Sequence, residues 1–388
     1  MINILWDGNY LAHSEFSVFS QYGKSKDPLK SERNKSNFIH GLTTKFFYAL
    51  NQLPKGGRVV FCMDSKSWRK GFYSGYKSSR EDVDGNKGQM DRATKEIFYS
   101  LMEDFCEMLK KVGIFVCRVP GAEGDDLLFH WSKYFNDKGE NVIIVTGDRD
   151  MTQCIAGPKE PWTIVWTNKS NSNKLYIPEH WTDWIIDVSN SVFNFTLNND
   201  QEVMSKLIRD QELKLEHTQP EFYVLKKILI GDDGDDVPAV WTVYKGDDKS
   251  IRVTDKKADK IIEHIFSKFD LHRPTALCEW GKPEFMDFLA GVILRVMGDL
   301  DGAPERLKVV EALERNARLV WLREDMLPFN LNESVKDSIR DSVESVTPDR
   351  TRWNKKALLE GSKFKGGSSV PTGMDPFSFM VLPDEDPK

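Results

Sequence analysis

The chain has 388 residues, enough to bury one large core or two modest ones. Charged residues make up 29% and hydrophobic residues 40%, the balance of an ordinary globular chain, and the net charge of −6 excludes a uniformly basic nucleic-acid binder. The charge is unevenly spread: between Gln21 and Arg80 there are thirteen basic residues against three acidic ones, Asp27, Glu32 and Asp64. Such a patch fits either a solvated surface or a grip on a polyanion.

The first strand is expected at Ile2 to Trp6, apolar from the outset and therefore central, and it ends at Asp7. Asp7-Gly8-Asn9 reads as a turn, and Gln21 to Lys35 as a Lys-rich loop. Phe38 to Leu53 carries apolar residues at helical spacing and is closed by Pro54-Lys55-Gly56-Gly57. A second strand, Val59 to Met63, delivers Asp64. Ser65 to Asp91 is a long polar segment in which Trp68, Phe72, Tyr73 and Tyr76 alternate with Arg and Lys. It reads either as a surface helix or as a binder of single-stranded nucleic acid, where rings stack on bases and cations meet phosphates.

Thr94 to Val112 is an amphipathic helix, with Phe98, Leu101, Met102, Phe105 and Leu109 on one stripe. A third strand, Ile114 to Cys117, leads through Pro120-Gly121 to Glu123-Gly124-Asp125-Asp126. The two aspartates open a helix, Leu127 to Phe135, and one of them has a structural use in complementing the helix dipole. The fourth strand, Val142 to Val145, stops at Thr146-Gly147 and releases Asp148 and Asp150. Strand alternating with helix specifies an α/β fold with a parallel sheet and helices on its faces. Trp162 to Trp166 reads as a further strand, and Ile177 to Glu216 shows no clear period.

The second half is mainly helical, with helices expected at Glu221 to Ile230, Ile261 to Phe269, Glu284 to Met297 and Glu305 to Arg323. The first of these ends in the acidic loop Gly231-Asp232-Asp233-Gly234-Asp235-Asp236-Val237-Pro238. From about Pro348 the composition is that of a flexible tail, interrupted by the apolar island Phe377 to Leu382. The expected organisation is an α/β domain over 1–220, with the long polar segment at about 65–91, a helical subdomain over 221–346, and a tail over 347–388. Five cysteines, odd in number and without Cys-x-x-Cys spacing, read as reduced core residues, and seven scattered histidines argue against zinc. No signal peptide or membrane span is expected, and the protein reads as cytoplasmic.

Polar residues just past the carboxyl ends of parallel strands sit where open α/β sheets place their sites. One such Asp alone is as well explained as a loop residue or helix cap. Here the pattern recurs: Asp7, Asp64, Glu123, Asp125, Asp126, Asp148, Asp150, Asp232 and Asp235 all follow strands or fall in the acidic loop. Carboxylates converging in one crevice repel each other and call for cations. Two hard ions, Mg²⁺ with Mn²⁺ as a substitute, would take such oxygen ligands and act together on a phosphodiester.

These residues also stand in ordered boxes. They are Leu5-Trp6-Asp7-Gly8-Asn9; Asp64 with Arg69 and Tyr76-Lys77-Ser78-Ser79-Arg80; Glu123-Gly124-Asp125-Asp126; Thr146-Gly147-Asp148-Arg149-Asp150-Met151-Thr152-Gln153; the Gly231 to Pro238 loop; and a late segment, Asn316 to Leu322. In these boxes, over roughly residues 1–325, the chain resembles the 5′-nuclease superfamily of flap endonucleases, polymerase-associated 5′ nucleases and phage 5′→3′ exonucleases, and within it the ribonuclease H group of T-even bacteriophages.

The resemblance implies a PIN-like 5′ nuclease core and a helix-hairpin-type DNA-binding motif at the Gly231 loop. It implies that Asp64, Glu123 and Asp125 hold one Mg²⁺ with Asp7 assisting through water, and that Asp148, Asp150 and Asp235 hold a second with Asp232 further out. Lys77 and Arg80 would contact the scissile phosphate, making them catalytic with Asp64, Asp125 and Asp148. Arg69, Tyr76 and Lys245 would join them in binding nucleic acid, with Tyr76 stacked on a base. The implied substrates are DNA 5′ ends, flaps and RNA primers in lagging-strand replication, in the host cytoplasm if the chain is phage-encoded. The tail island could dock on a single-strand-binding protein or a sliding clamp.

The sequence departs from the family in two boxes, with Gly124 for Ala and Asp236 for Asn. It also lacks the Gly-hydrophobic-Gly hairpin after Pro238, which bears on a K⁺ site. Two other readings stand beside a nuclease: a catalytically inactive branched-DNA binder and a PIN-type endoribonuclease. A haloacid-dehalogenase-type phosphatase would need Asp-x-Asp on the first strand, where this chain has Asp7-Gly8-Asn9.

Overall fold

A computed structural model describes residues 1–23, 29–53, 57–80, 90–156, 161–169, 172–178, 214–244, 250–269, 279–299 and 302–344. The chain divides into two compact units. One is made of 1–66, 83–217 and 333–388, and the other of 67–82 and 218–332.

The first unit is built on a seven-stranded sheet. Its strands are β1 (Ile2–Asp7), β2 (Val59–Cys62), β3 (Phe115–Cys117), β4 (Asn141–Val145), β5 (Thr163–Lys169), β6 (Ser172–Pro178) and β7 (Lys214–Thr218), in the order β3-β2-β1-β4-β5-β6-β7. Pairing from β3 through β5 is parallel, with Ile4 opposite both Val59 and Ile143, and the β5–β6 pair is antiparallel. The five strands with parallel partners, β1 to β5, match the apolar runs expected from the sequence, because a strand covered on both faces has no polar alternation to show.

The helices of this unit are α1 (Gly8–Gly23), α2 (Glu32–Gln52), α4 (Arg92–Lys111) and α5 (Gly124–Asp137). Alternate strand residues divide between two faces. Ile4, Trp6, Phe61, Ile143, Val145 and Trp166 join one core with residues of α1, α2 and α4. Leu5, Val60 and Ile144, equally buried, belong to the other face, and α5 packs on β1, β2 and β4. Helices therefore cover both faces of the sheet. Phe46 centres the first core, with its ring 4.7 Å from Trp6, 5.5 Å from Phe61 and 6.3 Å from Phe105, all edge-to-face. Each such pair contributes about 0.5–1.5 kcal/mol beyond its buried area.

Two differences from the sequence reading concern helix starts. The expected turn at Asp7-Gly8-Asn9 is the first turn of α1, because the Asp7 carboxylate accepts the Tyr10 N–H at 2.8 Å and serves the helix N-terminus. The expected loop before Lys35 is likewise partly helical, since α2 starts at Glu32 with Ser31 Oγ accepting the Asn34 N–H at 3.2 Å. Strands β6 and β7, where no period was visible, extend the sheet. Cys62, Cys106, Cys117 and Cys154 are buried free thiols, and Cys278 lies outside the described residues. No described helix is long and apolar enough to cross a membrane.

The second unit has its own helical core. After the short α3 (Arg69–Phe72) come α6 (Pro220–Ile230), a hairpin of β8 (Thr242–Tyr244) and β9 (Ser250–Arg252), α7 (Asp255–Phe269), α8 (Pro283–Met297), α9 (Ala303–Val320) and the start of α10 (Phe329–Ser342). Helix α10, which the sequence reading did not anticipate, runs on into residues assigned to the first unit. Ile228, Ile262, Leu289, Ile293, Leu313 and Ala317 fill the core of the second unit. Asn316 is fully buried in it, and its side-chain amide donates to the carbonyls of Ile228 at 2.9 Å and Pro238 at 2.7 Å. It thus fastens α9 to the end of α6 and to the residue after the acidic loop. Asn316→Leu strands those buried acceptors and is expected to cost about 2–4 kcal/mol in urea unfolding. A loss below about 0.5 kcal/mol would show that these bonds do not matter.

Candidate active site

The strand order reverses between β1 and β4, since the chain moves from β1 out to β3 and returns to the other side of β1. Ligand crevices of open α/β sheets lie at such points, beyond the carboxyl strand ends. Asp7 ends β1, and Thr146-Gly147-Asp148 follows β4. Asp7 is 6% exposed and is held on both oxygens, one by the Tyr10 N–H and the other by the Thr146 hydroxyl at 2.6 Å. Thr146 Oγ1 also accepts the Asp148 N–H at 3.0 Å, so one buried hydroxyl ties the two strand ends together. Asp148 is exposed and caps a 3-10 turn, Arg149–Cys154, by accepting the Asp150 N–H at 2.8 Å.

Asp64, just after β2, accepts the Gly124 N–H at 2.5 Å. That N–H lies at the N-terminus of α5, where negative charge is favoured. Glu123 is the N-cap of α5, and Asp126 Oδ2 accepts the Glu123 N–H at 3.1 Å, closing a capping box. Asp126 is fully buried in that structural task. Asp125 points elsewhere, and its carboxyl is pushed well above the ordinary range. Burial is the main cause, followed by the negative charges of Asp148, Asp7, Asp64 and Glu123. Burial likewise raises Asp7 to about 7, against the lowering effect of its two hydrogen bonds, with Asp64 and Asp148 adding repulsion.

Asp7, Asp64, Glu123, Asp125 and Asp148 are therefore electrostatic neighbours. Asp7, Asp64, Glu123 and Asp148 accept from main-chain N–H groups or a hydroxyl, and among the described residues no three acidic, His or Cys side chains are gathered at ion-holding distance. The donor set itself suits a hard divalent ion, since it consists of carboxylates only.

Tyr10 is not singled out in the sequence reading, and Thr146 stands there in a motif box without a task. Tyr10 covers Gly147, and a Cβ there would run into its ring. Gly147 is thus required by close approach and not by a left-handed backbone, since its φ is not positive. Burial and Asp7 raise the Tyr10 phenol to about 12. Gly147→Ala must displace the ring and is expected to destabilise the fold by about 1–3 kcal/mol, with recovery in the double variant Gly147→Ala/Tyr10→Ala, measured by thermal melting.

The remaining site residues belong to the second unit. Residues 76–80 are bonded to the acidic loop through Lys77 N–H to Asp235 O at 2.9 Å, Ser79 N–H to Asp236 Oδ2 at 2.9 Å, and Arg80 to Gly234 O at 2.9 Å and Asp235 Oδ1 at 2.6 Å. Asp235 also accepts from the Tyr76 hydroxyl at 3.1 Å and faces the Lys77 ammonium at 3.8 Å. Asp232 pairs with Lys227 at 2.7 Å; burial works to raise its carboxyl, but that ammonium prevails and lowers it. The loop starts at Gly231, whose φ of 74° and contact with the Val237 carbonyl suit glycine alone.

Two residues differ from the expectation of a nucleic-acid surface. Tyr76 is 3% exposed, with its ring in the helical core, so it offers no face to a base in this conformation. Arg69 is 2% exposed and donates to the Leu319 carbonyl at 2.9 Å, which makes it an anchor for α3. Lys245 and the tail island Phe377 to Leu382 lie outside the described residues.

Comparison with known proteins agrees with this geometry. Residues 3–182 match the family profile of the 5′-3′ exonuclease N-terminal resolvase-like domain. This part of the chain is therefore similar to the 5′-3′ exonucleases. Its relatives include a 5′-3′ exonuclease of Buchnera aphidicola subsp. Schizaphis graminum, 25% identical over 154 residues, which are 39% of this chain and 48% of that protein. DNA polymerase I of Mycobacterium leprae is 30% identical over 156 residues, 39% of this chain and 15% of that one. The matches thus span about half of the exonuclease and a small part of the polymerase.

Among solved structures, the T5 D15 protein co-crystallised with metal ions superposes with a TM-score of 0.51 at 15% identity, covering 89% of this chain and 100% of that one. A complex of the bacteriophage T5 D15 flap endonuclease with DNA and metal ions gives the same TM-score and identity over 89% and 99%. At this identity the likeness speaks to the fold.

Proposed function

We propose that the chain is a divalent-metal-dependent 5′ nuclease that hydrolyses phosphodiester bonds in DNA bearing 5′ ends or flaps. The observation that carries this reading is the convergence of Asp7, Asp64, Asp125 and Asp148 at the switch point of a sheet in a region similar to the 5′-3′ exonucleases. Four mutually repelling carboxylates, two of them raised by burial and by each other, oppose folding unless a cation joins them. The solved relatives contain metal ions, and one contains DNA. When bound, two Mg²⁺ or Mn²⁺ ions supply an activated water and charge relief for the leaving oxygen.

Asp64, Glu123 and Asp125 would hold the first ion, and Asp148, Asp150 and Asp235 the second, with Asp7 and Asp232 further out. Asp126, spent on the capping box, positions the start of α5. Lys77 and Arg80 are the cations for the scissile phosphate, and the partner they now hold is Asp235. A substrate phosphate would compete with Asp235 for those cations. RNA-primer and flap removal during phage replication, in the host cytoplasm, is the role that fits this chemistry. A 1–220 catalytic domain followed by a DNA-binding subdomain over 221–346 is the organisation that fits it.

The test is cleavage of a 5′-flap duplex, a nicked duplex and an RNA-primed duplex in Mg²⁺ and in Mn²⁺. Release of 5′ fragments that EDTA stops is expected. Tight binding with no cleavage in either metal would overturn the reading in favour of an inactive branched-DNA binder.

A further inference from the structure

Within the second unit, a cavity of about 390 Å³ opens beside α3. Its walls include Trp68 and Phe72 from α3 and the residue before it, Arg318 from the last turn of α9, Asp325 from the following turn, and Phe329 at the start of α10. The volume lies within the ~300–1,000 Å³ of pockets that take small ligands. Two of its rings face solvent, Phe72 at 41% and Phe329 at 77% exposure. Both line the same cavity, and an occupant that covers them removes apolar area from water.

The charge at this cavity selects the occupant. The Arg318 guanidinium lies over the Phe72 ring, 5.4 Å from its centroid, and no carboxylate among the described residues pairs with it. The acid in the wall, Asp325, is neutralised by Arg323 through two bonds of 2.8 Å. The cavity therefore combines exposed aromatic rings with one planar cation that no described carboxylate pairs. An apolar peptide would have no use for that cation, whereas a nucleotide has a π-face for the rings and a phosphate for the guanidinium.

We infer that this cavity is a pocket for one unpaired nucleotide, whose base packs against Phe72 and Phe329 and whose phosphate meets Arg318. The inference rests on the nuclease reading only for the identity of the polyanion. It places base stacking on Phe72 and Phe329, since Tyr76 is buried. Every base has a stacking face, so the pocket tolerates any sequence and favours single strands, whose bases are free to leave the stack.

The experiment is fluorescence-anisotropy titration of the full chain with a labelled single-stranded 15-mer and a blunt duplex of equal length, both in EDTA so that nothing is cut. Phe329→Ala and Arg318→Ala are each expected to weaken single-strand binding by about 5- to 150-fold, the effect of one stacked base. Blunt-duplex affinity should move less than twofold, and Phe329→Trp should restore single-strand binding. Phe329 is too exposed for its truncation to unfold the chain, and a melting curve on the same sample checks this. Unchanged single-strand affinity in both variants overturns the pocket, and so does an equal loss on single strand and duplex. Failure of the nuclease reading looks different: the wild type would bind the single strand through Phe329 and still cut nothing in Mg²⁺.

Discussion

Asp148→Asn is expected to lower the rate of 5′-flap cleavage by at least about 10³-fold, or ~4 kcal/mol of barrier, and to leave folding intact. The two halves of this expectation come from different features of the residue. Asp148 is exposed, and it accepts the Asp150 N–H, which an Asn side-chain oxygen can also accept. The 3-10 turn therefore survives, and the melting temperature should stay within a degree or two. What Asn cannot supply is the charge that Asp125 feels more strongly than that of any other neighbour.

Asp64→Ala should be equally inactive by a different route. It removes a ligand and also leaves the Gly124 N–H at the start of α5 without its carboxylate acceptor. Single-turnover cleavage at saturating Mg²⁺ measures both. Wild-type rates in either variant would show that the crevice is not where hydrolysis occurs. Loss of DNA binding in the metal-free state would show that the substitution had damaged more than the chemistry.

The sheet was legible because burial on both faces leaves strands apolar throughout. Each of the runs ending at Asp7, Asp64 and Asp148 could be read as such a strand. The helix boundaries were less visible for a physical reason. Asp7-Gly8-Asn9 has turn composition, yet a carboxylate that accepts the N–H three residues on makes those residues a helix start. The carboxylate positions followed from the strand ends, but their partners did not. Thr146 holds Asp7 across strands 139 residues apart in sequence, and that pairing exists only once β1 and β4 are neighbours.

The aromatic and basic segment after Ser65 shows the limit of composition. Its pattern suggested a surface for nucleic acid, but the pattern does not say which side chains face inward. Tyr76 and Arg69 are buried, while Phe72 is exposed beside Arg318. Nor could spacing reveal that Lys77 and Arg80 lie against Asp235, more than 150 residues away in sequence. Residues expected to serve two different ligands are paired with each other.

Asp7→Asn should stabilise the metal-free protein at neutral and higher pH while weakening its response to Mg²⁺. Asp7 titrates near 7 in the folded chain and near 3.8 when unfolded. Below about pH 4 both states hold the proton and nothing is lost. Between about 4 and 7 the folded state keeps a proton that the unfolded state releases, so stability falls as pH rises. Above about 7 both are ionised and the loss is complete, on the order of a few kcal/mol from a shift of this size. Asn carries no charge, keeps an oxygen for the Tyr10 N–H and can donate its amide N–H to the Thr146 hydroxyl oxygen, and so removes the slope while keeping a contact on each side. Urea unfolding of both proteins in EDTA at pH 5 and pH 8 tests this, with the variant gaining on the wild type only at the higher pH. Adding Mg²⁺ at pH 8 should then raise the wild type more than the variant, because an ion relieves a repulsion that the variant no longer has. A variant less stable than wild type at both pH values would mean that the Asp7 charge is already compensated within the chain, and the case for a cation in the crevice would lose its energetic basis.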